Sequence, residues 1–190
     1  MAVNKDSANW RLFGGGGLLV GGVLWLLGQL LGLAAVPTAP AIVGAIGVLV
    51  VGIALFFVAF GQTGSNGAVG NSLLGKIALV AAAVGWILVA AGTIFAAFGT
   101  VLPAVVTIIA VILVVVGGVL ATFVIYQRGV ARGAARWVFA VPTVLSIVWA
   151  LFALGWVVPG ATVVLIVALL LAAAYAVTGL LYLLNRRDVG

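Results

Sequence analysis

The chain has 190 residues, 67% of them apolar and only 5% charged, with a mean hydropathy of +1.51. A soluble domain carries roughly a quarter charged residues, so this sequence cannot cover a water-facing surface and reads as an integral membrane protein. The net charge of +6 does not point to nucleic acid, because no polar segment is long enough to fold as a basic soluble module.

Catalytic chemistry is narrowed as far. The chain has no histidine and no cysteine, which removes the usual ligands of zinc, haem and iron–sulfur centres and the commonest general base. Its two carboxylates, Asp6 and Asp188, lie outside the apolar segments, so paired-carboxylate chemistry within the bilayer is not available. The expectation is a non-enzymatic protein with no metal and no cofactor.

A bilayer crossing takes about 20 apolar residues. Six such stretches follow one another, predicting a single all-α transmembrane domain over residues 1–190 with helices at approximately Arg11–Ala35, Ala41–Phe60, Ile77–Phe98, Ala104–Tyr126, Trp137–Val157 and Thr162–Leu184. The first run is too long for the apolar core of a signal peptide, about 7–15 residues, and is expected to span. Turn and loop residues separate the runs: "VPTAPA", "GQTGSNGAVGNSLLGK", "GTVLP", "QRGVARGAAR" and "VPGA".

Charge placement orients the chain. Lys5 and Arg11 precede the first helix, Lys76 lies between the second and third, Arg128, Arg132 and Arg136 between the fourth and fifth, and Arg186 and Arg187 after the sixth. The intervening turns carry no charge. By the positive-inside rule the basic side is cytoplasmic, which gives three helix hairpins in the cytoplasmic membrane with both termini inside.

The pairs of helices also look alike. Each reads as an apolar segment with a tryptophan (Trp25, Trp86, Trp149), an uncharged turn with proline, and a second apolar segment ending in polar or basic residues. The self-similarity expected of any bundle built from Ala, Val, Leu and Gly is the competing explanation.

The first helix opens with four glycines, Gly14 to Gly17, a run that would weaken a soluble helix. In lipid, small residues let helix backbones approach. Gly17, Gly21, Gly28 and Gly32 recur at intervals of four, seven and four, one face of a helix, and are assigned to helix packing rather than to a pore lining. Similar stripes run through Ala78, Ala82 and Trp86, through Ala110, Val114, Gly117 and Ala121, and through Ala168, Ala172, Ala176 and Gly179. The glycine run follows no strand and has no downstream Lys-Ser/Thr, so it is not a phosphate loop.

Polar residues within the spans are Gln29, Thr93, Thr107, Thr122, Thr143, Ser146, Thr178 and three tyrosines, none ionisable near neutral pH. Serine and threonine can bond their own helix. Gln29 needs a partner the helix cannot supply, either across helices or on a neutral polar ligand. Trp10, Trp137, Trp156, Tyr126 and Tyr182 are expected as interfacial anchors. Trp25, Trp86 and Trp149 lie deeper, filling space or lining a cavity for a lipid or quinone tail. Pro142 either starts or kinks the fifth helix.

At the cytoplasmic surface Arg128, Arg132 and Arg136 recur every four residues, and a continuous helix would align them on one face. With Arg186 and Arg187 they are assigned to contact with anionic headgroups or with a partner's acidic surface.

Glycine-rich helices running into a turn proline, as in "GGVLWLLGQLLGLAAVP", and three hairpins in about 190 residues resemble the HdeD-type acid-resistance membrane proteins. The resemblance spans nearly the whole chain and departs in the second unit, where Pro103 is displaced from its tryptophan. It implies a role in protection against acid stress and transfers no functional residue. The sequence thus predicts a structural or accessory membrane protein, a stress factor or a subunit associating with others or itself; the alternative is a channel or carrier for a small neutral or apolar solute.

The orientation is testable in intact cells. Single cysteines placed at Thr38 and at Ala131 should label from opposite faces of the membrane; labelling of both from outside would refute the topology.

Overall fold

A computed structural model of the chain describes residues 10–33, 38–61, 67–128 and 133–184. Among them there is no strand. Six helices are long and apolar enough to cross a membrane: α1 (Trp10–Gly32), α2 (Ala39–Phe60), α3 (Leu73–Ala97), α4 (Ala104–Arg128), α5 (Ala134–Ala153) and α6 (Ala161–Leu184). Large apolar side chains stand exposed on every one, among them Leu12, Ile53, Ile77, Ile112, Val144 and Leu170. Only a lipid environment makes such a surface stable without aggregation.

Each helix touches the one before it and the one after it, and α6 returns to α1, so the six form a ring. The most extensive contacts are those of α1 with α2, α3 with α4 and α2 with α3, whereas α5 meets α4 and α6 at far fewer points. The α1–α2 contacts run in opposite directions: Gly14 faces Val58, Gly17 faces Ala54, Gly21 faces Gly47 and Val51, and Gly28 faces Gly44. A methyl group on Gly21 would stand 2.8 Å from the Gly47 carbonyl oxygen, and one on Gly17 2.7 Å from the Ala54 Cβ. Gly32, the last of the predicted face, meets nothing closer than the Pro40 Cβ at 4.0 Å.

The glycine run serves two neighbours at once. Gly14 and Gly17 lie against α2, Gly15 lies against Gly179 and Tyr182 of α6, and Gly16 meets nothing. Gly22 continues the second face against Ala172 and Ala176. The spacing of Gly17, Gly21, Gly28 and Gly32 marks only the face that meets α2, while the stripe Ala172, Ala176 and Gly179 marks the α6 side of the second face. The helix also begins in a wide π-helical turn, Trp10–Gly15.

Helix ends follow local chemistry. The α3 helix starts earlier than predicted, because Ser72 caps it by accepting from the Gly75 N–H at 3.2 Å. Both α3 and α5 end on a glycine with positive φ, Gly99 (79°) and Gly155 (71°). In each the next amide reaches five residues back, Thr100 to Phe95 and Trp156 to Leu151, the Schellman pattern. Pro103 and Pro159 each follow four residues after their glycine, which gives the suggested repeat a structural counterpart.

Two expectations fail. Trp10 and Tyr182, read as interfacial anchors, are 3% and 0% exposed and pack edge to face at 5.3 Å. Trp10 lies four residues before Gly14 and Tyr182 seven after Tyr175, so helical periodicity turns both inward. The segment 67–72 forms turns, as its residues suggest, and folds back on α2: the Ala68 N–H donates to the Val58 carbonyl at 2.7 Å, and Ala68 and Val69 are fully buried.

Substitution distinguishes the glycines. Isoleucine at Gly21 or Gly28 should lower thermal stability in detergent by about 1–3 kcal/mol through overpacking, whereas Gly16→Ala should not lower it. Parent-like melting of both isoleucine variants would show that this face looks at lipid.

Candidate functional site

Four aromatic side chains from four helices meet in the middle of the ring. Trp86 of α3 is fully buried, with ring centroids 5.2 Å from Trp25 of α1, 5.4 Å from Trp149 of α5 and 5.7 Å from Tyr175 of α6. Trp25 also stacks on Tyr175 at 6.3 Å. The Trp86 indole N–H donates to the Tyr175 hydroxyl at 2.8 Å. The indole thus finds its partner on a neighbouring helix, as a buried indole must. The Ser146 hydroxyl donates to the Pro142 carbonyl of its own helix at 2.7 Å.

Between this layer and the Trp10 end of the bundle the interior is closed by Leu18, Leu55, Leu79 and Ile125, all at 0% exposure. Toward the opposite end, where α1 stops and α2 begins, the helices part around a cavity of about 760 Å³. Trp25 and Trp149 line its floor, Val48, Val89 and Val164 its walls, and Gly28, Gly32, Ala41, Gly44 and Ala168 make the room. Its polar contributions are Gln29 and Thr93. The Thr93 hydroxyl donates to the Val89 carbonyl at 3.0 Å, leaving its lone pairs to accept. Gln29, the polar residue singled out in the sequence, therefore sits on the cavity wall.

The other hydroxyls are structural. The α5 helix consists of a short turn, Ala134–Trp137, and a regular stretch, Ala140–Ala153. Pro142 lies in the first turn of the second part and has no N–H to give the Val138 carbonyl. Val141 N–H donates to that carbonyl at 3.2 Å; the Thr178 hydroxyl of α6 donates to its own Ala174 carbonyl at 2.7 Å and lies 3.5 Å from that of Val138. Thr143 and Thr122 share a 2.8 Å hydrogen bond between α5 and α4. A second groove, about 620 Å³ and lined wholly by apolar side chains such as Val141, Leu145 and Leu170, runs between α5 and α6.

The arginine stripe does not form on one continuous helix. The α4 helix ends at Arg128, and Gly133 has φ 58° and ψ −137°, which breaks the helical path before Arg136. Arg136 folds back on α4: its Nε donates to the Tyr126 carbonyl at 2.8 Å, and its guanidinium lies 4.4 Å above the Tyr126 ring. Tyr126 and Trp137 pair at 4.4 Å beside it, both exposed as expected of interfacial residues, as is Trp156. Arg132, Arg186 and Arg187 lie outside the described residues, as does the side chain of Arg128.

Among the described residues no group of three or more His, Cys, Asp or Glu side chains comes together. The arrangement offers an apolar pocket with a polar collar and a hydrogen-bonded aromatic floor. Comparison with known proteins finds no matching family model, no similar curated protein and no similar solved structure.

The floor responds to substitution as a coupled unit. Tyr175→Phe keeps the ring but strands the Trp86 N–H, and should lower stability by about 1–3 kcal/mol. Trp86→Phe removes the same hydrogen bond, so the double variant should lose less than the sum of the single losses in thermal unfolding. Strict additivity would show that the pair is not coupled.

Proposed function

We propose that this chain is a non-enzymatic, non-conducting protein of the cytoplasmic membrane, arranged as three helix hairpins with both termini inside. Its role is that of a structural or accessory subunit or a stress-related membrane factor; the HdeD-type resemblance suggests acid stress as the setting. One observation carries the reading. The centre of the ring is filled by Trp25, Trp86, Trp149 and Tyr175, with fully buried aliphatic side chains beneath them. A solute path needs a wet or polar course through the bundle, and below the floor this one is filled by buried aliphatic side chains.

Arg128, Arg132, Arg136, Arg186 and Arg187 are proposed to hold the cytoplasmic face to anionic headgroups, each contributing about 1 kcal/mol, or to dock a partner subunit. The position of Arg136 in the turn after α4, beside the exposed Tyr126 and Trp137, supports an interfacial place for that segment.

The cavity favours one second reading. A pocket open at one end and closed at the other is half of an alternating-access cycle, so a carrier for a small neutral or apolar solute is the alternative. Proteoliposomes decide between them. Stopped-flow light scattering with glycerol and urea should give the permeation rates of protein-free vesicles. Faster permeation that is lost when the cavity is filled by Gly32→Phe would establish the carrier instead.

A further inference from the structure

We propose that the cavity above the aromatic floor binds an uncharged single-chain amphiphile, a molecule with the chemistry of a monoacylglycerol or long-chain alcohol. The proposal rests on the membrane-spanning reading of the six helices but not on any transport activity. Depth is the first consideration. Leu33 and Pro40 stand at the mouth, Gln29 lies one turn inside Leu33, and Trp25 lies one turn deeper again. On α3 the same step separates Thr93 from the deeper Val89. A polar collar thus surrounds an apolar shaft, the order of an amphiphile inserted chain first.

The charge of the head follows from the lining. No charged residue lines the cavity, and the sequence joining α1 to α2 contains no Asp, Glu, Lys or Arg. An ionised head would lose water at the collar without gaining a counter-charge. The Gln29 amide offers two donors and an acceptor, and the Thr93 oxygen can still accept, which matches hydroxyls. Size argues for one chain. The cavity of about 760 Å³ falls among small-molecule sites, roughly 300–1,000 Å³, below what a two-chain phospholipid requires.

Moving an alkyl chain from lipid into an apolar cavity gains little, because lipid is as apolar as leucine. Affinity over the surrounding bilayer must therefore come from the collar, where hydrogen bonds form away from bulk water. Gln29 is accordingly the residue on which recognition turns.

The test uses the full chain in phosphatidylcholine nanodiscs, carrying Trp137→Phe and Trp156→Phe so that lipid-exposed indoles do not report. A monoacylglycerol brominated in mid-chain is titrated while tryptophan fluorescence is followed. Quenching of Trp25 and Trp149 should saturate. Gln29→Leu should weaken binding about tenfold, the loss of one good hydrogen bond, while leaving the melting temperature unchanged. Gly32→Phe should abolish saturable quenching, since Gly32 lines the cavity and meets only the Pro40 Cβ at 4.0 Å. Ala41→Leu serves the same end if the phenylalanine variant does not reconstitute. The matching brominated fatty acid, ionised at alkaline pH, should bind at least about tenfold more weakly than the neutral probe.

Quenching that rises linearly with probe and is equal in the filled variants would overturn the site. Equal binding of the fatty acid would overturn the assignment of a neutral head. A chain that fails to enter nanodiscs and washes off membranes in alkaline carbonate would refute the membrane reading on which the site rests.

Discussion

Lipid gives helices little reason to leave it for one another, since the hydrocarbon is as apolar as their side chains. What holds this ring together is therefore the number of atoms brought into close contact. That number rises steeply when backbones, rather than side chains, meet. Gly21 against Gly47, Gly28 against Gly44, Gly22 against Ala172 and Ala176, Gly85 against Ala110 and Val114, and Gly117 against Ala78 and Ala82 all work in this way. At Gly21, Gly22, Gly28, Gly47, Gly85 and Gly117 a Cβ would strike a neighbour's main chain. The entropic penalty of glycine, about 1 kcal/mol in an unfolded chain released to water, falls with the narrower freedom of a helix already formed in the bilayer. Close approach then decides the balance.

Close packing on the rim also sets what the centre can be. Where α1 lies tightly on α2 and α6, its Trp25 is carried inward to meet Trp86, and the ring is narrow enough for four aromatic side chains to fill it. Past Gly28 the contacts loosen. Gly32 is already 4.0 Å from its nearest neighbour and Gly92 meets only the end of Leu102 at 3.4 Å. The cavity opens at the level where the small-residue ladders run out. A rigid floor beneath a splayed mouth is thus one consequence of where the glycines stop.

Much of this was legible in the residues, and the boundary of legibility has a physical cause. Apolar length placed the six helices within a few residues, because spanning length is a local property. The α1–α2 face was legible for the same reason, since glycines four and seven apart mark one side of a helix wherever it packs. On α1 the second face, through Gly15 and Gly22, was hidden, although its α6 side was visible as the stripe Ala172, Ala176 and Gly179. A helix that packs on two neighbours shows two overlapping stripes, and a glycine-rich sequence does not separate them. Trp10 and Tyr182 were misplaced because an aromatic residue near the end of a span reads alike whether it faces headgroups or the bundle. The convergence of Trp25, Trp86, Trp149 and Tyr175 depends on contacts across more than sixty residues in chain order, which no local pattern encodes. The polar collar was only half visible: Gln29 stood out as an amide within a span, whereas Thr93 looked like any threonine bonding its own helix.

The fifth helix shows the same accounting at the level of single carbonyls. In hydrocarbon an unpaired backbone group costs several kcal/mol, so a proline inside a span is tolerated only where something else supplies the missing donor. Here the Val141 N–H turns to the Val138 carbonyl at 3.2 Å, and the Thr178 hydroxyl of α6 lies 3.5 Å from it. Thr143, Ser146 and Thr178 each donate to a carbonyl of their own helix, Phe139, Pro142 and Ala174, as serine and threonine can. Across helices Thr143 and Thr122 share a 2.8 Å hydrogen bond between α5 and α4. The helix with the fewest close backbone approaches is thus tied to its neighbours partly by polar contacts rather than by glycine ladders.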